Sequence, residues 1–153
     1  VAQMVGAFLG AVLAWAAYQN HFEQQADPGI KLAVFSTGPE IRNYGWNLVT
    51  EVIGTFVLVF VVVAFGVVGP DGQAANSMLG PLAVALLVVG IGNSLGGPTG
   101  YAINPARDLG PRLAHAILPI SGKGSSDWGY SWVPVVGPII GGVLGGLAAR
   151  GMF

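Results

Sequence analysis

Residues 96–118 read GGPTGYAINPARDLGPRLAHAIL and lie between two longer apolar runs. The first five, Gly96 to Gly100, are expected not to hold a regular helix, because glycine is conformationally permissive and proline lacks an amide donor. The carbonyls of Gly96 to Gly100 are then expected to be free of intrahelical partners. Irregular backbone at membrane depth survives only where it lines a watery cavity or is covered by protein. Asn104 followed by Pro105 predicts a helix start, since asparagine caps free N–H groups and proline suits the first helical position. A helix from Pro105 to Leu118 would run about 20 Å, roughly two thirds of a membrane crossing. Pro111 cannot donate to the carbonyl of Arg107, which predicts a kink there. The start of this half-helix carries the positive pole of its dipole, reinforced by Arg107, so cations are expected to be repelled from it.

Outward from this stretch, the apolar residues gather into four membrane-length blocks, expected to span at about residues 1–18, 46–68, 78–95 and 132–149. The second would cover about 35 Å at 1.5 Å per residue; the last two come near the lower limit for crossing a core of about 30 Å. The stretch 96–118 is too short to span and is expected to dip into the membrane and return. The connections read as solvated loops: Gln19 to Gly45 is long and charged, and Gly69 to Ser77 is short with only Asp71. Val1 already sits inside an apolar block, with neither an initiating methionine nor a charged leader. That start reads as part of a longer sequence and not as a signal peptide.

Composition agrees with a membrane solvent. Of 153 residues 53% are hydrophobic and 8% charged, against about 25% charged in an average soluble domain. Net charge is −1, so no basic face is available for nucleic acid. Cysteine is absent and the two histidines, His21 and His115, lie far apart in sequence; no metal site or cofactor is expected, and His115 reads as a polar residue near an interface. Lys31 and Arg42 share the long loop with three acids, so the excess of cations that marks a cytoplasmic side gives no orientation.

The run Asn104, Pro105, Ala106, Arg107 resembles the signature of the aquaporin, or major intrinsic protein, superfamily, and Gly96 to Arg112 resembles bacterial glycerol facilitators in particular. The resemblance covers nearly the whole chain, from the third spanning helix of that fold onward. It implies an all-α membrane protein: a right-handed helical bundle, here partial, with four spanning helices and one re-entrant half-helix. A first Asn-Pro-Ala loop would belong to the portion preceding these residues. The resemblance further implies a multi-pass protein of the bacterial plasma membrane that conducts glycerol, related polyols and water without energy input, excludes ions and protons, and assembles as a homotetramer in the lipid bilayer.

The same resemblance assigns roles. Asn104 would donate its side-chain amide to a passing oxygen while its backbone caps the half-helix. Arg107 would stand in the selectivity constriction and donate two N–H groups. Tyr101 would supply an aromatic wall, and Gly92 would take the place of a bulky histidine of water-selective relatives, leaving the constriction wide. Asp108, Arg112 and Pro134 also point to the glycerol-conducting branch. Glycerol is amphipathic, so the slot the resemblance implies, with Arg107 and the carbonyls of Thr99, Gly100, Tyr101 and Ala102 on one side and the Tyr101 ring on the other, suits it.

Plainer readings stand beside these. Arg107 could be a buried cation paired with Asp108, although an ionisable group inside a membrane protein points first to function. Asp108 offsets the helix dipole and pairs with Arg112 at i,i+4. Glu51 is expected to accept hydrogen bonds from re-entrant backbone, and Gln3 to do the same for the other half. Gly6 with Gly10, and Gly137 with Gly141 and Gly145, are expected to permit close helix approach. Two other activities remain open, a water-selective aquaporin and a secondary transporter with a broken helix. An intramembrane enzyme would need a nucleophile with its base, or a metal cluster, and the spans contain neither.

Overall fold

The structure is a computed structural model that describes residues 1–67 and 80–153. The loop at 69–77 with Asp71, the end of the second expected span and the start of the third lie outside the described residues. Seven helices are present among the described residues: α1 (Ala2–Ala17), α2 (Gln19–Gln24), α3 (Pro28–Ala33), α4 (Tyr44–Val67), α5 (Gly80–Thr99), α6 (Pro105–Ile117) and α7 (Val133–Met152).

Three of them, α4, α5 and α7, are long and apolar enough to cross a membrane. The block at 1–18 is a shorter case. Its helix α1 has 16 residues, about 24 Å, because Tyr18 leaves helical geometry at φ −113° and ψ 20° and α2 begins immediately after it. Among the described residues three helices meet the length that spanning requires, and α1 is a shorter apolar helix.

The most extensive packing joins α4 to α7. Glycines four residues apart on α7 form the seam. A methyl group at Gly137 would lie 2.5 Å from Glu51 Cβ, and one at Gly145 would lie 2.6 Å from Phe56 O; at Gly141 it would collide with Val52 O. Backbones approach this closely only without side chains between them. On α1, a methyl at Gly6 or Gly10 would meet nothing within 4 Å among the described residues. The close approach of α1 to α6 is made instead by Gly110, whose added methyl would lie 2.8 Å from Ala7 Cβ and 3.1 Å from Phe8 N.

The long connection at 19–45 is more than a solvated loop. Asp27 Oδ1 accepts from Gly29 N at 2.7 Å and starts α3 at Pro28. Phe22 and Phe35 are buried with Ala11, Ala114, Leu118 and Ile120, so burial of apolar surface holds this connection against the C-terminal half of α6. The buried Lys31 donates from Nζ to Ser121 O, and Lys123 Nζ caps the end of α6 by donating to the carbonyls of His115 at 2.7 Å, Ala116 at 2.8 Å and Leu118 at 2.6 Å. His115 is fully buried: its Nδ1 lies 2.8 Å from Ser126 Oγ and its ring meets Phe35 edge-on.

Candidate functional site: the re-entrant segment and the groove beside it

The segment between α5 and α6 is built by one carboxylate and a run of left-handed residues. Helix α5 continues through Gly96, Gly97 and Pro98 to Thr99, contrary to the expectation that these residues could not be helical. Proline in a last turn forfeits a single backbone bond, and the turn is closed by Gly100 at φ +75°, whose N–H donates to Gly96 O at 2.8 Å. A glycine in this conformation is a common way to end a helix.

The irregular backbone thus starts at Gly100. Tyr101 and Ile103 follow at φ +41° and +43°, a conformation that costs a non-glycine residue of order 1–3 kcal/mol and persists only where the surroundings impose it. Glu51 of α4, 2% exposed, imposes it. Its Oε1 accepts from Thr99 Oγ1 at 2.7 Å and Ala102 N at 3.0 Å, and its Oε2 accepts from Ile103 N at 2.8 Å. The carbonyls of Thr99, Gly100, Tyr101 and Ala102 accept no hydrogen bond among the described residues. Three donors of this segment are used by Glu51, and its carbonyls remain available among the described residues.

Asn104 caps α6 with both its side chain and its backbone: Oδ1 accepts from Ala106 N at 2.9 Å, and its carbonyl accepts from Arg107 N at 3.1 Å. Its Nδ2 faces Gln3 Oε1 of α1 at 3.5 Å, long for such a bond. Pro105 follows as the first residue of α6, which runs unbroken through Pro111. Ala106 is buried.

Arg107 and Asp108 diverge. Arg107 is exposed, and its Nη1 reaches Phe35 O at 3.4 Å, the one hydrogen bond its side chain makes among the described residues. Asp108 is fully buried and pairs with Arg112, not with Arg107: its Oδ1 accepts from Arg112 Nε at 2.7 Å. Asp108 Oδ2 accepts from Thr37 N and Thr37 Oγ1, both at 2.8 Å. Arg107 and Asn104 share a cavity of about 610 Å³ with Gln3, Gly6, Gly10 and Phe35.

Tyr101 and Gly92 are not on the lining of that cavity. They lie against each other. A methyl at Gly92 would stand 3.0 Å from Tyr101 Cζ, and one at Gly96 would stand 3.2 Å from Tyr101 Cδ1. The space vacated at Gly92 is therefore taken by the Tyr101 ring. Sequence reasoning gave no place to Phe35 and Thr37, and nothing in a loop without a motif marks them; Pro134, by contrast, is buried at the start of α7.

Membrane-length helices around a re-entrant segment, with a capped half-helix and an arginine in its first turn, define a membrane-embedded bundle of the aquaporin-like fold. Residues 1–149 match the family described as Major intrinsic protein, and the chain belongs to that family. It is 56% identical over 152 residues to the "Glycerol uptake facilitator protein" of Bacillus subtilis, covering 99% of this chain and 54% of that protein. It is 55% identical over 138 residues to "Glycerol uptake facilitator protein 3" of Lactiplantibacillus plantarum, covering 90% of this chain and 55% of that one. The chain thus spans about half the length of the curated relatives it matches. Among solved structures, the X-ray structure of the aquaglyceroporin from Plasmodium falciparum superposes with a TM-score of 0.76 at 25% identity, over 97% of this chain and 61% of that one.

Proposed function

We propose that the protein containing these residues is a facilitative channel for glycerol and related small uncharged polyols that also passes water and catalyses no reaction. The observation that carries this reading is the division of labour along the re-entrant backbone. Glu51 consumes the N–H groups of Ala102 and Ile103, while the carbonyls of Thr99 to Ala102 accept no hydrogen bond among the described residues. A polyol must shed water to enter a narrow path, and a ladder of carbonyls with an arginine replaces those hydrogen bonds. The names of the relatives support glycerol as the solute. In this reading Arg107, Asn104, Tyr101 and Gly92 line the path, and Gln3, Glu51, Pro105, Ala106 and Asp108 support them.

Exclusion of ions follows from the positive end of α6 and from Arg107, an arrangement that bars cations and protons in aquaporin-type pores generally. In this reading the protein lies in the bacterial plasma membrane as a multi-pass homotetramer. The test is reconstitution of the full-length protein in liposomes, with light scattering to follow glycerol entry. Entry much faster than in empty vesicles and indifferent to ion gradients is expected. Entry that needs an ion gradient would indicate a secondary transporter, and fast water with no glycerol would indicate a water-selective pore.

A further inference from the structure

Asp108 and Arg112 together grip a single residue of the connection before α4. Asp108 Oδ2 accepts from both donors of Thr37, its N–H and its hydroxyl, at 2.8 Å. Arg112 Nη2 donates to the carbonyl of the same residue at 2.9 Å and also to Asp108 Oδ2 at 2.9 Å. Arg112 Nη1 donates onward to Ser126 O at 2.8 Å and Asp127 O at 3.0 Å. Asp108 and Arg112 are fully buried and Thr37 is 6% exposed. Thr37 also packs on the re-entrant backbone, since a methyl at Gly100 would lie 3.2 Å from its Cβ.

Two residues before Thr37 stands Phe35, whose carbonyl is the hydrogen-bond partner of Arg107. Arg107 itself is adjacent in sequence to Asp108. The start of α6 therefore holds the Phe35–Thr37 segment from two sides: the Asp108–Arg112 pair by Thr37, and Arg107 by Phe35. A buried ion pair that is fully hydrogen-bonded resists displacement, because moving one partner leaves a buried charge unsatisfied. An exposed arginine making one long bond has no such constraint of its own.

We propose that Asp108, Arg112 and Thr37 are positioning residues that set the size selectivity of the pore, by fixing the Phe35 carbonyl against which the Arg107 guanidinium rests. This rests on the pore reading above. When the grip loosens, Arg107 gains alternative orientations and the opening beside it widens. Longer polyols then gain relative to glycerol, while the number of folded channels changes independently.

The experiment uses the full-length protein in liposomes, comparing entry of three-, four- and five-carbon polyols for the wild type and for Thr37→Val, Asp108→Asn, Arg112→Lys and Lys123→Met. Thr37→Val keeps the shape and the backbone N–H but deletes the hydroxyl donor. The ratio of five-carbon to three-carbon entry is the decisive readout, because fewer folded channels slow all solutes in proportion. A rise of about threefold or more in that ratio is expected for Thr37→Val and for whichever of Asp108→Asn and Arg112→Lys folds. Lys123→Met, which removes a cap from the other end of α6, should leave the ratio unchanged. An unchanged ratio in Thr37→Val, or an equal rise in Lys123→Met, overturns the proposal. Wild-type protein that admits no polyol faster than empty vesicles overturns the pore reading instead.

Discussion

Glu51 Oε2 on α4 accepts the N–H of Ile103 at 2.8 Å, a bond between residues 52 apart in sequence that holds Ile103 at φ +43°. Glu51→Gln replaces one of the two accepting oxygens by an NH₂ that faces donors. A buried N–H left unsatisfied costs about 1–3 kcal/mol. The expected outcome is a lower melting temperature in detergent, together with slower glycerol entry per folded protein. Unchanged melting would show that the three donors find other partners.

Tyr101 and Gly92 compete for one volume, with the ring 3.0 Å from where a Gly92 methyl would stand. Gly92→Val must displace the ring. Tyr101 is then expected to move toward the path, lowering glycerol entry several-fold while water entry falls less. Stopped-flow measurement of both solutes on one preparation reads the ratio directly.

The α4–α7 seam predicts a contrast between neighbouring glycines. Leucine at Gly141 would be driven into Val52 O, whereas the nearest atom to a methyl at Gly142 lies 3.7 Å away, an ordinary contact. Overpacking of this kind costs about 1–3 kcal/mol or more. Gly141→Leu should sharply reduce thermal stability and Gly142→Ala should not, as checked by melting in detergent.

Tyr130, in the connection before α7, is fully buried, and its hydroxyl has no partner among the described residues. Burial pushes its pKa above the ordinary value of 10.0, with the Glu51 and Asp108 charges adding to the rise. Between its unfolded and folded values the native state holds a proton that the unfolded state has lost, so stability falls as pH rises through that window and is unaffected by this group below it. Tyr130→Phe is expected to melt no lower than wild type at pH 7 and to lose less stability between pH 10 and 11, the ordinary value being 10.0. A clear loss at pH 7 would indicate a hydrogen-bond partner for the hydroxyl.

Some features were legible because they rest on chemistry within a few residues. The Asn104–Pro105 start of α6 needs only a short side-chain oxygen and a ring with fixed φ, and the observed helix starts at Pro105. The glycine spacing of α7 is likewise local. The end of α5 was misplaced because the helix penalties of Gly96, Gly97 and Pro98 are local, while the forces that offset them, the Thr99–Glu51 bond and the Gly100 closure, join α5 to α4 and to the turn beyond. The burial of His115 and the packing of residues 19–45 onto α6 were missed for the same reason.

The sequence by itself determined a helical membrane chain with a re-entrant half-helix, because apolar run length and a capping dipeptide act locally and sum along the chain. Only the tertiary structure decided which buried groups meet: Glu51 with Ile103, Asp108 and Arg112 with Thr37, Arg107 with Phe35, and the Tyr101 ring with Gly92. Hydrogen bonds and contacts between residues tens of positions apart exist only once helices have packed. No periodicity in one chain records which partner each buried donor will find.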